Sequence, residues 1–385
     1  MNQKIIDKLN EINQCLLNYE IDNTSLMVGQ SGIILYKSYY NKVFKVEKFD
    51  INNELETLFS KLPNEAHYLP FCGGFTGAAW MFSHLIKHKL IDANIEEVQT
   101  LDEIIEERIE AELMGNNYDY LHGALGMAWY LLDSQGEKKK EFLGKIVIML
   151  KTKAKSVKTD MIYWETADGV VNLSVSHGIT SVLLFLAECY KYGIEKEVAS
   201  DLIKKGINYI RSYKRLELIN HSYFPNAIEE KMLNASGRLA WCYGDLGIAT
   251  LFYKVGKLLN DSPLQEEAIQ IFEENSKRMD LKLNNVIDGT FCHGASGICY
   301  IFFKNYLETN NDSFKDAADY WLEKIFEFGN NTNGFAGFKT WNELTKSYEN
   351  NYCLLEGISG IGLVLLSIYS NQIEDTAWDK CLLLS

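Results

Sequence analysis

Proline is scarce in this chain, with 4 in 385 residues, so little in it stops helices from forming or propagating. Long apolar runs are missing as well. No uninterrupted stretch approaches the roughly 20 residues that a helix needs to cross a bilayer. The start, Met1 to Asp7, is amphipathic and acidic early, with neither the apolar core nor the small-residue cleavage site of a secretory signal. Surplus positive charge is absent too: 38 Lys and Arg stand against 52 Asp and Glu, a formal charge of −14. That balance argues against nucleic acid or an anionic membrane as the main partner, because both need a positive field. A cytoplasmic location is expected. Apolar and aromatic residues, at 47% and 12%, are plentiful enough for a sizeable core. Eight cysteines, at positions 15, 72, 189, 242, 292, 299, 353 and 381, are scattered along the chain. In a reducing compartment such a set reads as core packing plus a few metal or catalytic thiols, not as a disulfide framework.

A Gly-x-x-Gly turn followed by an apolar helical run recurs seven times. The copies begin at Gly29, Gly74, Gly123, Gly178, Gly244, Gly294 and Gly357, and the fourth departs from the pattern with Ser181 as its last residue. Successive first glycines lie 45, 49, 55, 66, 50 and 63 residues apart. Glycine at these positions lets helix ends crowd together without Cβ clashes. A more polar segment precedes each copy, at 4–19, 50–62, 94–114, 138–155, 195–213, 264–279 and 313–326, with apolar residues at three- and four-residue spacing. The runs after the glycines are apolar nearly all round, which marks buried helices. Fourteen helices in two layers are therefore expected. No terminal unit looks like a polar cap, so the stack is expected to close rather than stay an open solenoid. The predicted fold is all-α: an α/α toroid, a double-layered ring of seven helical hairpins, forming one domain over residues 1–385. Two irregular stretches, 216–236 and 330–352, are expected as long loops on the face that carries the site.

The reactive residues fall just before the glycine turns. Cys242 lies two positions before Gly244 and Cys292 two before Gly294, while His293 and His177 immediately precede Gly294 and Gly178. Equal offsets in successive repeats place side chains at the same end of a ring, so Cys242, Cys292 and His293 are expected to converge. Two thiolates and an imidazole suit zinc, and three protein ligands leave a position open, as in catalytic sites. The two thiolates already neutralise the dication, so a third sulfur, from substrate, stays nucleophilic; thiol activation fits this site better than hydrolysis. Cys72 shares the offset before Gly74, but its repeat belongs across the ring, so it reads as packing. His177 alone reads as well as a satisfied core histidine as a functional one, and His122, in the matching place before Gly123, stays outside the catalytic set.

These motifs resemble the lanthionine synthetase C-like (LanC-like) family. The resemblance rests on Trp241-Cys242-Tyr243-Gly244, Cys292-His293-Gly294, Ser176-His177-Gly178 and the sevenfold glycine pattern, and it covers essentially the full chain. It implies an α/α toroid with one zinc ion per chain held by Cys242, Cys292 and His293. It further implies site roles for Asp119, which matches the acidic residue before the third turn, for Arg238, four before Cys242, and for Tyr243 just after it. Without the resemblance these three read as a helix-capping Asp, a surface Arg and a packed Tyr. The implied activity is that of a lanthionine synthetase (cyclase) of lantibiotic biosynthesis: peptide Cys thiols add to dehydroalanine or dehydrobutyrine in a ribosomally made precursor peptide. A separate dehydratase and an exporter are the implied partners, with peripheral attachment to a membrane biosynthetic complex. The chain opens directly on the first repeat, so a free-standing cyclase is expected rather than a domain fused to a dehydratase.

In this chemistry His177 is the candidate general acid, since imidazole titrates near neutrality and can protonate the α-carbon of the enolate left by thiol addition. Asp119 would orient a proton-transfer partner, and Arg238 would position the peptide or stabilise the oxyanion. Two rivals share the zinc site: a LanC-like protein that adds glutathione to dehydroamino acids, and a non-catalytic zinc-containing peptide-binding protein. A carbohydrate-active toroid would need paired carboxylates facing the cavity, whereas apart from Asp119 and Glu356 the turns offer thiols and imidazoles.

Overall fold

The computed structural model describes residues 1–65, 67–94, 99, 101–134, 137–166 and 169–385. Among the described residues there are fifteen α-helices, one 3-10 helix and two short β-hairpins. The chain packs as two compact units, one made of residues 1–97 and 279–385, the other of residues 98–278.

Seven helices start on the residue after a repeat's first glycine: Gln30–Phe44, Phe75–Lys87, Ala124–Ser134, Ile179–Lys191, Asp245–Leu259, Ala295–Thr309 and Ile358–Ser370. They are buried over most of their length; Ile179–Lys191 buries every residue from Ile179 to Cys189. Alternating with them are Asn2–Cys15, Ile51–Glu65, Asp102–Met114, Glu137–Lys153, Lys196–Arg211, Ser262–Ser276 and Asp312–Phe328. The helix Lys196–Arg211 shows the amphipathic plan of this second set. It buries Ala199, Leu202, Ile203, Gly206, Ile207 and Ile210, the spacing that makes one stripe. Side-chain caps start three of the set: Asp50 accepts the Asn53 N–H, Asp261 accepts the Leu264 N–H ahead of a first-turn proline, and Asn311 accepts the Ser313 N–H. The third expected polar segment, 94–114, is helical over Asp102–Met114, and its residues 95–98 and 100 lie outside the described residues.

The hairpins are an addition to the all-helical expectation. One pairs Lys155–Lys158 with Met161–Tyr163, where the sequence reading extends a helix to residue 155; the other pairs Thr340–Asn342 with Ser347–Glu349 inside the stretch 330–352. The stretch 216–236 holds a single short helix, Glu230–Leu233.

A recurrent hydrogen-bond scheme builds the turns. In six of them the residue after the first glycine donates its N–H to the carbonyl six residues before that glycine: Gln30 to Asn23, Phe75 to Tyr68, Ala124 to Asn117, Ile179 to Asn172, Ala295 to Asp288 and Ile358 to Asn351, at 2.8–3.1 Å. Where the next residue is Ser or Thr, its hydroxyl donates to the following carbonyl, as in Ser31, Thr76, Thr180, Ser296 and Ser359. The third and fifth turns have Leu125 and Leu246 there. Each such bond is worth about 1 kcal/mol net, and more if lost from one side only, because the remaining buried group is stranded.

In the unit made of residues 1–97 and 279–385, the residues two before the glycine link turn to turn through the backbone. Cys292 donates to Leu355 at 2.9 Å, Leu355 to Met27 at 2.9 Å, and Met27 to Cys72 at 3.1 Å. The last turn of the sequence is thereby joined to the first. The helix Ile358–Ser370 packs against both Gln30–Phe44 and Asn2–Cys15. Fully buried Tyr36 seals this contact: a Cβ on Gly362 would come within 2.4 Å of its ring, and its hydroxyl donates to Asn13 Oδ1 at 2.7 Å. In the other unit, Ser176 N–H reaches the Cys242 carbonyl at 3.4 Å.

Candidate metal centre

The turn scheme separates two positions by environment. The residues two before the first glycine, Met27, Cys72, Leu121, Ser176, Cys242, Cys292 and Leu355, are all buried. Those one before it, Val28, Gly73, His122, His177, Tyr243, His293 and Glu356, all keep some exposure. The second register carries His122, His177, Tyr243, His293 and Glu356 within reach of solvent, while Cys242 and Cys292 lie in the buried one.

Cys242, Cys292 and His293 present ligand atoms that all lie within 4.8 Å of one another. The two cysteines are 6% and 8% exposed and the His293 side chain 16%. Zinc held by two thiolates and an imidazole sets its ligand atoms about 3.5–3.8 Å apart, so small side-chain adjustments suffice. This group can bind a metal such as zinc, and the donor set fits that ion's preference for sulfur and nitrogen. Cys72 does not belong to it. Elsewhere burial raises the thiols of Cys189, Cys299, Cys353 and Cys381, that of Cys353 to about 12, which suits inert core residues.

Each ligand sits on a braced turn. Cys292 is held by its bond to Leu355, and the Cys242 carbonyl also accepts the Ser176 hydroxyl at 3.1 Å. Two carboxylates approach His293: Asp288 Oδ2 lies 4.0 Å from Nε2, and Glu356 Oε1 lies 3.9 Å from Nδ1.

The turn carrying Cys242 is built differently from its counterparts. Gly244 has φ of +88°, against −102° to −140° at Gly29, Gly74, Gly178, Gly294 and Gly357. A Cβ there would also stand 1.9 Å from the Arg238 carbonyl oxygen, so glycine is obligatory on two counts. Support comes from the stretch 216–236. Fully buried Asp245 accepts the N–H groups of Tyr223 and Phe224 at 2.7 and 3.0 Å and the Asn275 amide at 3.0 Å. Arg278, 1% exposed, donates to the Gly237 carbonyl and to Asn275 Oδ1. Burial lowers its pKa to about 10, against the opposing charge of Asp245.

Arg238 occupies the position six before the glycine that Asn or Asp fills in most other turns. Its backbone N–H donates to Asn226 Oδ1 at 2.9 Å, and its buried Nε has no hydrogen-bond partner among the described residues.

Asp119 and His177 form a pair, with His177 Nδ1 2.6 Å from Asp119 Oδ2. Asp119 also caps its own turn, Oδ1 accepting the N–H groups of Leu121 and His122 at 2.7 and 2.8 Å. Burial acts to lower the His177 pKa, but the hydrogen bond and charge of Asp119, with a smaller contribution from the Cys242 charge, outweigh it and leave the group above its ordinary value. The Tyr243 ring lies 6.0 Å from that of His177, and its hydroxyl is 3.5 Å from Asn172 Nδ2. His122, outside the set drawn from sequence, stacks on His177 with centroids 5.8 Å apart. Its shared offset with His177 and His293 was the signal for it. Asp245 and Arg278 had none, since what they do comes only from what the folded turns bring against them.

The chain belongs to the lanthionine synthetase C-like family, whose model matches residues 20–383. It is 26% identical over 409 aligned residues to the nisin biosynthesis protein NisC of Lactococcus lactis subsp. lactis, a match that spans 95% of this chain and 90% of that protein. The solved structure of nisin cyclase superposes with a TM-score of 0.75 at 22% sequence identity, over 99% of this chain and 97% of that one. The fold is therefore that of nisin cyclase, the α/α toroid. Among the described residues no helix is long and apolar enough to cross a membrane.

Proposed function

We propose that this protein is a zinc-dependent lanthionine and methyllanthionine cyclase, closing thioether rings in a dehydrated precursor peptide, with Cys242, Cys292 and His293 holding one zinc ion. The observation that carries the reading is the approach of two thiols and an imidazole to within 4.8 Å, with the His177–Asp119 pair tied to the same Cys242 turn through Ser176. The relatives named for nisin biosynthesis and nisin cyclase support it.

When bound, zinc held by Cys242, Cys292 and His293 would lower the pKa of a substrate cysteine, so that its proton leaves to solvent and its sulfur stays a nucleophilic thiolate. The chain's own residues then serve the electrophile. As the C–S bond forms at the β-carbon, the alkene electron pair moves onto the α-carbon and its carbonyl oxygen, and the enolate needs a proton. His177 delivers that proton to the α-carbon, and Asp119 orients the imidazole and keeps it protonated. Arg238, only partly buried four residues before Cys242, would set its guanidinium against the substrate carbonyl oxygen as charge builds there. Tyr243 flanks the imidazole and limits its swing.

The test is to measure zinc in the purified protein, incubate it with a dehydrated Cys-containing peptide, and alkylate remaining thiols before mass spectrometry. Ring closure leaves the mass unchanged but removes a site of alkylation. Wild type should contain stoichiometric zinc and protect the peptide thiols; His177→Ala should keep the zinc and lose the protection. Addition of external glutathione in preference to ring closure would move the reading to intermolecular thiol addition. Bound zinc with affinity for peptide but no thioether would make this a binding protein.

A further inference from the structure

Four turns open with the same local hydrogen bond. The side-chain oxygen of the residue six before the first glycine accepts the N–H two residues further on: Asn23 from Ser25, Asn172 from Ser174, Asp288 from Thr290 and Asn351 from Cys353, at 2.8, 2.8, 3.0 and 2.8 Å. One oxygen is all that this turn requires, and an asparagine supplies it in three of the four. The turn that carries His293 has an aspartate instead, so it holds a second oxygen that the turn does not use.

That second oxygen, Asp288 Oδ2, is the one that lies 4.0 Å from His293 Nε2, and it accepts the Trp341 N–H at 3.2 Å. Oδ1 is occupied twice, by the N–H and the hydroxyl of Thr290. Asp288 is 1% exposed. A carboxylate so deeply buried is unfavourable unless donors or a cationic centre compensate it, and the turn alone gives no reason to prefer it to asparagine.

We infer that Asp288 is a positioning residue for His293, its buried carboxylate lying just beyond hydrogen-bond reach of Nε2, favouring the imidazole proton there and so leaving Nδ1 as the metal ligand. This rests on the metal reading proposed above. A neutral imidazole protonates one nitrogen and offers the other's lone pair, and a carboxylate beside one nitrogen decides which. Glu356 competes at the other nitrogen, 3.9 Å from Nδ1, but its side chain is 39% exposed and screened by water, whereas that of Asp288 is 0% exposed. Carboxylates behind a metal-bound imidazole raise its basicity as well as fixing its orientation.

Two measurements test this without reference to turnover. In zinc-loaded wild type with 15N-labelled histidine, NMR should show His293 protonated at Nε2 and coordinated through Nδ1. Asp288→Asn keeps an oxygen for Thr290, removes the charge and turns an amide NH2 towards the Trp341 N–H, so zinc affinity measured by chelator competition should fall about 10- to 100-fold. Asn351→Asp, which adds a carboxylate to a turn without a histidine, should leave affinity unchanged. Coordination through Nε2, or wild-type affinity in Asp288→Asn, would overturn this inference while the metal site stood. Wild type that takes up no zinc would overturn the metal reading and this inference with it. The NMR arm uses wild type alone, so it decides the matter even where Asp288→Asn folds poorly.

Discussion

Asp119 performs two tasks with two oxygens, and Asp119→Asn separates them. The substitution leaves an oxygen to accept the N–H groups of Leu121 and His122 but takes the charge away from His177 Nδ1, 2.6 Å distant. The side chains are 17% and 28% exposed, so solvent screens their interaction only in part. A charge-assisted hydrogen bond is worth about 1.5–3 kcal/mol, which corresponds to a fall of about 10- to 150-fold in cyclisation rate. The pH profile carries the sign. Burial opposes protonation of His177, and the raised pKa reflects Asp119 overcoming it. A general acid works only when protonated, so wild-type activity should decline as pH rises through that raised value, and Asp119→Asn should move the decline to lower pH. Stability follows the same linkage. The pair's contribution is present in full below the unfolded histidine value of about 6.5 and is lost as pH rises through the folded one. The variant should therefore melt below wild type in acid, with the gap closing towards alkaline pH. Initial rates and melting curves across that range are the assay. An alkaline limb that does not move, in a variant that still folds, would refute the assignment of His177 and Asp119 as a proton-donating pair.

Three further outcomes follow from the geometry. Gly193→Ala meets a φ of +75° with nothing within 4 Å, whereas Gly244→Ala meets +88° and the Arg238 carbonyl at 1.9 Å. The first should lose about 1–2 kcal/mol of stability to backbone strain in urea unfolding and the second clearly more, with zinc released to weaker chelators; equal losses would show that the close approach is immaterial. Asp245→Ala strands the N–H groups of Tyr223 and Phe224 and leaves buried Arg278 without its nearby carboxylate. A loss of about 3–5 kcal/mol is expected, with earlier proteolysis within 216–236, and a near-neutral effect would mean that this stretch is held by other contacts. Iodoacetamide on the folded protein should spare Cys189, Cys299, Cys353 and Cys381, whose thiols burial raises, and should label Cys242 and Cys292 only after metal is stripped. Peptide mass mapping reads the pattern, and metal-independent labelling of Cys242 would contradict a ligand role.

The division between what could be read in advance and what could not follows from the kind of information each feature needs. Helix identity and the metal-binding triad are local or register properties. A Gly-x-x-Gly turn followed by apolar residues is a helix start wherever it occurs, and equal offsets from successive turns compare like with like. That is why Cys242, Cys292 and His293 are visible as a group before any coordinates. The two hairpins are not, because strands of three or four residues are too short to establish an alternating pattern. Gly244 shows a deeper limit. By sequence it is one glycine of seven, yet its backbone lies in the left-handed region and those of five counterparts do not. Tyr68 also stands where most turns have Asn or Asp, yet Gly74 keeps a φ of −125°, so what sets the Gly244 turn apart is the network in which Asp245 draws in Tyr223, Phe224 and Asn275 from elsewhere in the chain. Contacts of that kind come from residues far apart in sequence and leave no mark on the register of the repeat, so the turn that carries Cys242 reads like its neighbours until the chain is folded.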